Sequence, residues 1–276
     1  MDRVVHRKLS RRAVRSLVLF GVTVAVVSIV LHSSLSRRAN IEERARTLSS
    51  AQGIVVGFGN PGEFALPSYS NGDIFPAGLR AVAADREHVA AALDGLELAL
   101  ASYPSGFASK LIRAVFICGV LHAGDARASG TIGANWILIA APADRSLDDV
   151  REMVVATYHH ELSSAVLRQP GAMARWVQYW PSGRTELHEY NDVSAHANDR
   201  EPDPATGFLS AYAMTNPEND FNVYAELVFI RPETVRALSN RYEIVRSKAA
   251  LLVELYSRVE PRMESALRRR IESSVR

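Results

Sequence analysis

The stretch Thr157 to Leu167, TYHHELSSAVL, sets a His directly before a Glu inside a segment of helical pattern. On a helix, imidazoles at i and i+4 face one metal ion. A Glu at i+1 then faces a metal-bound water, which it deprotonates before returning the proton to a leaving amine. His160 and Glu161 occupy the first two of those places, but Ser164 stands at the third. A neutral hydroxyl is a poor zinc ligand, so the pattern also admits a helix that keeps its shape without metal, or a chance His-Glu pair on a solvated face. On a helical wheel Val150, Val154, Val155, Tyr158, Leu162, Ala165 and Val166 fill one broad apolar arc. His160 and Ser164 lie opposite, and Glu161 sits at the edge of the arc.

The helix that must carry these residues starts after Ser146, an N-cap with Asp148 and Asp149 in the first turn, and runs through Leu167 to a stop at Pro170-Gly171. Upstream, Val82, Val89, Leu93, Leu96 and Leu100 recur at helical spacing and predict a helix from Ala77 to about Tyr103. Two apolar runs, Ala114 to Leu121 and Trp136 to Ala141, predict strands separated by the turn-rich GDARASGTIGAN, the second of edge type. A loop-rich span from Gly171 to Gly207 follows, in which Trp176, Tyr179 and Trp180 are expected to cap the core. Helices resume near Pro217, continue after Pro232 and finish in a long Arg/Glu-rich helix.

The downstream segment SAYAMTNPENDFNVYAELVF adds a second clue. With the His-Glu helix, it resembles the gluzincin-type zinc-binding metallopeptidases with a lethal-factor-like catalytic domain, over roughly residues 80 to 230. The resemblance implies an α+β zincin-like domain, with a small sheet packed on the active-site helix and a mostly helical C-terminal part. It implies zinc as cofactor, His160 as a metal ligand, Glu161 as general base and Tyr212 as the group that stabilises a tetrahedral oxyanion. Thr215-Asn216 falls on a matching Thr-Asn. The acidic ligand falls on Glu218 or Asp220; a gapless match puts Asn219 itself there, with Glu226 two helical turns beyond. His159, His188 and His196 are further candidates for the metal shell. The implied substrate is a peptide lying along the Trp136 to Ala141 strand. Since Ser164 and Asn219 replace two ligands, the alternative is a zincin-fold peptide-binding or scaffolding module without metal.

The 276 residues are 47% hydrophobic, which suits one sizeable domain with an appendage and excludes a disordered tail. Net charge is +2, with the basic residues clustered at the two ends, so no nucleic-acid surface is expected. Arg3, Arg7, Lys8, Arg11, Arg12 and Arg15 precede an uncharged run from Ser16 to Ser36, long enough for a single transmembrane helix with its basic side in the cytoplasm. The expected organisation is a basic tail and anchor over 1–38, a juxtamembrane stalk and loop over 39–76, and a globular domain over 77–276 on the extracytoplasmic side. A cleaved signal peptide ending near Ser34-x-Ser36 is the competing reading. The expected partners are a peptide or protein substrate and the membrane. Cys118 is the only cysteine, which excludes an intrachain disulfide and a Cys-based zinc site. Gly57-x-Gly59-x-x-Gly62 is followed by Pro67 and a Ser-Asn-Gly turn rather than a helix pattern, so it is not expected to bind a dinucleotide.

Overall fold

The computed structural model describes residues 41–61, 79–184, 186–187 and 201–272. The apolar run at 16–36, His188 and His196 lie outside them; among the described residues no helix is long and apolar enough to cross a membrane. The chain is an α+β fold. After a helix at 41–52 (α1) come β1 (Val55–Phe58), β2 (Leu79–Ala81), α2 (Arg86–Leu100), β3 (Ala114–Cys118), β4 (Leu121–Ala123), β5 (Ala126–Ala128), β6 (Gly130–Ile132), β7 (Trp136–Ala140) and α3 (Leu147–Leu167). The rest is helical: α4 (Ala172–Trp176), α5 (Pro217–Ile230), α6 (Pro232–Arg241), α7 (Glu243–Val259) and α8 (Arg262–Glu272), with short 3-10 turns between.

Every residue of β3 and β7 is buried, as their unbroken apolar runs AVFIC and WILIA require of strands covered on both faces. They are the central strands of a mixed sheet ordered β1-β3-β7-β6, in which β1, β3 and β7 run parallel and β6 runs antiparallel to β7. The expected edge strand at Trp136 to Ala141 is therefore internal. The edge belongs instead to the three residues of β6, hidden in the glycine-rich segment taken as a turn. A second small antiparallel sheet is ordered β2-β4-β5.

The expected extent of α3 is borne out. Ser146 Oγ accepts the Asp149 N–H at 3.1 Å, and Gly171, at φ +75°, turns the chain after it. By contrast α2 starts only at Arg86, because the Asp85 carboxylate accepts the N–H groups of Glu87 and His88 and caps the helix there; Val82 is left exposed. The final helix is two helices, α7 and α8, meeting at Glu260-Pro261.

α3 is the pivot. It packs on α2, α5, β6 and β7, and two glycines permit the closest approaches. A Cβ at Gly95 of α2 would lie 2.4 Å from the Arg151 carbonyl oxygen, and one at Gly130 of β6 would lie 2.4 Å from Thr157 Cγ2. The Arg151 carbonyl could not yield without moving the helix, and at Gly130 the Leu138 carbonyl oxygen, 3.0 Å from the same Cβ, adds a backbone contact. With protein on so many sides, Ser163 and Ser164 are buried, so the solvated-face expectation for this side of α3 does not hold.

Candidate functional site

The polar side of α3 forms the floor of an open cleft of about 870 Å³. The edge strand β6 makes one wall, and α5 with the turn that precedes it makes the other. His160, Glu161, Ser164, Tyr212, Glu218, Asn219, Asn222 and Glu226 all line it. Four of the five residues expected to do chemistry thus share one cavity, together with Glu226. The fifth, Asp220, does not.

Helix geometry explains the split. At roughly 100° per residue, Asp220 points about 160° away from Asn222 around α5. Its carboxylate is 1% exposed and accepts Lys248 Nζ at 2.7 Å and Trp176 Nε1–H at 3.0 Å. Lys248 also donates to the Gly207 carbonyl at 3.0 Å and sits over the rings of Phe208, Tyr224 and Trp176. Burial raises the Asp220 carboxyl above its ordinary value and lowers the Lys248 ammonium, each against the pull of the other. Asp220 is committed to the interior and cannot reach the cleft.

His159 and His160 also part company. His159 is 1% exposed, stacks on Phe229 with ring centroids 4.2 Å apart, and hydrogen-bonds Tyr103 Oη through Nδ1 at 2.7 Å. Burial, helped by Arg270, pushes it down to about 3, so it is a neutral core residue and not part of a metal shell. His160 faces the cleft beside Tyr212, its ring centroid 5.6 Å from the phenol ring, and Nδ1 lies 3.2 Å from Glu226 Oε2. Burial opposes its charged form, but the Glu226 hydrogen bond and the carboxylates of Glu161, Glu226 and Glu218 outweigh that and raise it above its ordinary value.

Glu161 differs from every other acid in the cleft. It is 9% exposed, and among the described residues no hydrogen bond or ion pair engages it. Burial pushes its carboxyl up to about 7, with Glu218 adding to the rise and His160 and Arg168 opposing it. Gly130 gives it room: a Cβ there would come within 3.3 Å of Glu161 Cγ.

The position where a second imidazole would stand is closed by neutral groups. Asn222 Nδ2 donates to Ser164 Oγ at 2.9 Å, and Asn222 Oδ1 accepts from Ser163 Oγ at 2.6 Å. All three are buried. The amide thus meets both hydroxyls and locks α3 to α5 where ligands would otherwise converge. Among the described residues no three His, Cys, Asp or Glu side chains gather in a way that could hold a metal ion. The expected zinc set of His160, Glu218 and Asp220 does not fit this geometry, since Asp220 is turned away and Glu218 reaches toward Arg168 at 3.5 Å.

The Thr215-Asn216 pair has a local task. Asn216 Oδ1 accepts the Asn219 N–H at 2.8 Å and caps α5, while Thr215 Oγ1 donates to the Tyr212 carbonyl at 2.7 Å and accepts from Asn219 Nδ2 at 2.8 Å. These bonds fix the turn that presents Tyr212. Glu226 and Asn222 were outside the expected set of site residues. Their signal was present as polar residues at 219, 222 and 226 in the apolar helix PENDFNVYAELVFI, a three-then-four spacing that marks one face. Comparison of the chain with protein-family models, with curated proteins and with solved structures gives no match.

Proposed function

We propose that the chain is a peptide-binding module of zincin-like architecture, which holds an extended polypeptide along β6 across the cleft above α3. The observation that carries this is the phase of the β6 ladder. Ala140 N–H donates to the Ser129 carbonyl and Gly133 N–H to the Trp136 carbonyl, so residues 129, 131 and 133 face β7. In an antiparallel ladder the alternate residues, Gly130 and Ile132, turn their N–H and C=O the other way, along the cleft. A peptide strand can add there by main-chain hydrogen bonds. The Ser163-Asn222-Ser164 lock supports binding over metal chemistry at this site. The N-terminal apolar run tethers the module to the membrane, with the domain on the extracytoplasmic side.

The test is an Ile132→Pro variant of the full chain in mild detergent, probed with a panel of fluorescent extended peptides. Proline removes only an N–H directed at the ligand and is tolerated on an edge strand. Peptides that bind the wild type should lose about tenfold or more in affinity, with the melting temperature nearly unchanged. Undiminished binding would overturn the strand-addition reading.

Hydrolysis is the second reading, favoured by one observation: Glu161, pushed up to about 7, lines the same cleft as Tyr212, a base near neutrality and a phenol in one cavity. New amine termini released from casein by wild type but not by Glu161→Gln would establish it over capture alone. Equal and negligible zinc in wild type and His160→Ala would leave zinc without a part in either.

A further inference from the structure

Peptide capture along β6, on which this inference rests, says nothing of which peptides are taken. The cleft itself is selective in charge. Glu161, Glu186, Glu218 and Glu226 line it, against Arg127, Arg168 and His160. Both arginines are already engaged. Arg127 holds Asp144 through two contacts of 2.6 Å, and Arg168 donates to the Gly133 carbonyl at 2.7 Å while approaching Glu218. Glu226 is engaged with His160.

Glu161 alone among these groups is about nine-tenths buried, and among the described residues no hydrogen bond or ion pair engages it. A carboxylate in such a place is costly unless a cation or donor reaches it. Among the described residues no donor bonds it; His160 and Arg168 only lower its carboxyl from a distance, and an open cavity leads to it. Leu209, Val223 and Leu227 line the same cavity and offer apolar cover to a long aliphatic stem. An acidic end with apolar walls matches a side chain that carries its charge at the tip of several methylenes.

We infer that the cleft selects extended peptides bearing a lysine or arginine side chain, whose cationic tip is seated against Glu161 with Glu218 and Glu226 beside it. The edge strand supplies main-chain affinity and Glu161 supplies side-chain choice. No covalent step is involved.

The experiment titrates the full chain, in mild detergent, with acetylated and amidated heptapeptides of alternating Val and Thr, the fourth residue being Lys, Arg, norleucine or Glu. The Lys and Arg peptides should bind about ten to a hundred times tighter than the norleucine peptide, the discrimination expected of one desolvated charge-assisted contact, and the Glu peptide weakest. In Glu161→Gln the Lys and norleucine peptides should bind alike, with a cooperative melt showing that the fold is kept. Equal binding of Lys and norleucine peptides to wild type would overturn this inference while leaving strand capture intact. Failure of all four peptides would overturn strand capture as well. If only peptides with an unblocked N-terminal amine bind, the site reads a chain end and the inference is wrong. If Zn²⁺ alone displaces the Lys peptide at equimolar concentration, the carboxylates serve a metal and the inference is equally wrong.

Discussion

The two sides of the α3–α5 pair treat charge in opposite ways. On the inner side Asp220 and Lys248 are fully buried, yet they meet each other, an indole N–H and a backbone carbonyl, and aromatic rings close around them. On the cleft side Glu161 is also buried, and among the described residues no hydrogen bond or ion pair engages it. The adjacent histidines repeat the contrast, with His159 neutral on Phe229 and His160 drawn toward Glu226. Buried charge that is paired within the chain serves the fold. Buried charge left unpaired at the floor of an open cleft costs stability unless a group from outside reaches it.

Breaking the inner pair should have the largest effect. Lys248→Met leaves the Asp220 carboxylate buried alone and should destabilise the protein by about 3–5 kcal/mol in urea unfolding. Adding Asp220→Asn, which keeps an acceptor for Trp176 Nε1, should recover most of that. If Lys248→Met costs under about 1 kcal/mol, the pair is not a structural clamp and the contrast collapses.

His159 makes the inner side acid-sensitive. Its folded pKa of about 3 lies below the ordinary 6.5, so the unfolded chain takes up the proton first. This group's contribution is intact above pH 6.5 and is lost as pH falls toward 3. At about 1.4 kcal/mol per unit, some 2–3 kcal/mol should go between pH 6.5 and 4.5. His159→Leu should flatten that acid limb when stability is followed against pH; an unchanged limb would assign it to other groups.

Glu161 has the opposite sign. With its folded pKa raised from 4.5 to about 7, the stability tied to its protonated form is present below pH 4.5 and lost as pH rises through 7. Glu161→Gln should therefore stabilise the protein at pH 8 by about 2–3 kcal/mol and change little at pH 4.5. A destabilised variant at pH 8 would mean that Glu161 has a partner after all. Smallest is the lock between the helices. Read from the chemical-denaturation midpoint, Asn222→Ala should cost about 1–2 kcal/mol by stranding the buried Ser164 hydroxyl, while Ser163 Oγ keeps the His160 carbonyl at 2.6 Å.

What could be read from the chain follows the range of the forces involved. The limits of α3 were legible because Ser146, Asp148-Asp149 and Pro170-Gly171 act within a turn of the backbone. The late start of α2 turns on Asp85 capping in the middle of an Ala-rich run, where helical spacing outweighed the cap. β6 escaped notice because three residues with a leading Gly carry no alternation, and only the ladder to β7 makes them a strand. WILIA lacks polar alternation, the mark of an internal strand, and an edge assignment conflicts with that pattern. At the site, the placement of His160, Glu161 and Tyr212 in one cleft followed from the motif and its resemblance. The fate of Asp220 did not, because Lys248 lies 28 residues away and on a separate helix. Nor does the sequence mark Asn222, because the two hydroxyls its amide bridges lie 58 and 59 residues away on α3.

The most direct measurement is residue-resolved amide hydrogen exchange of the full chain with and without the acetylated Lys heptapeptide. Slowed exchange at the Gly130 and Ile132 amides, absent with the Glu heptapeptide, is the result expected of a strand added at β6 with its cation at Glu161. Protection confined to other surfaces, or identical protection by the Lys and Glu peptides, would contradict the account.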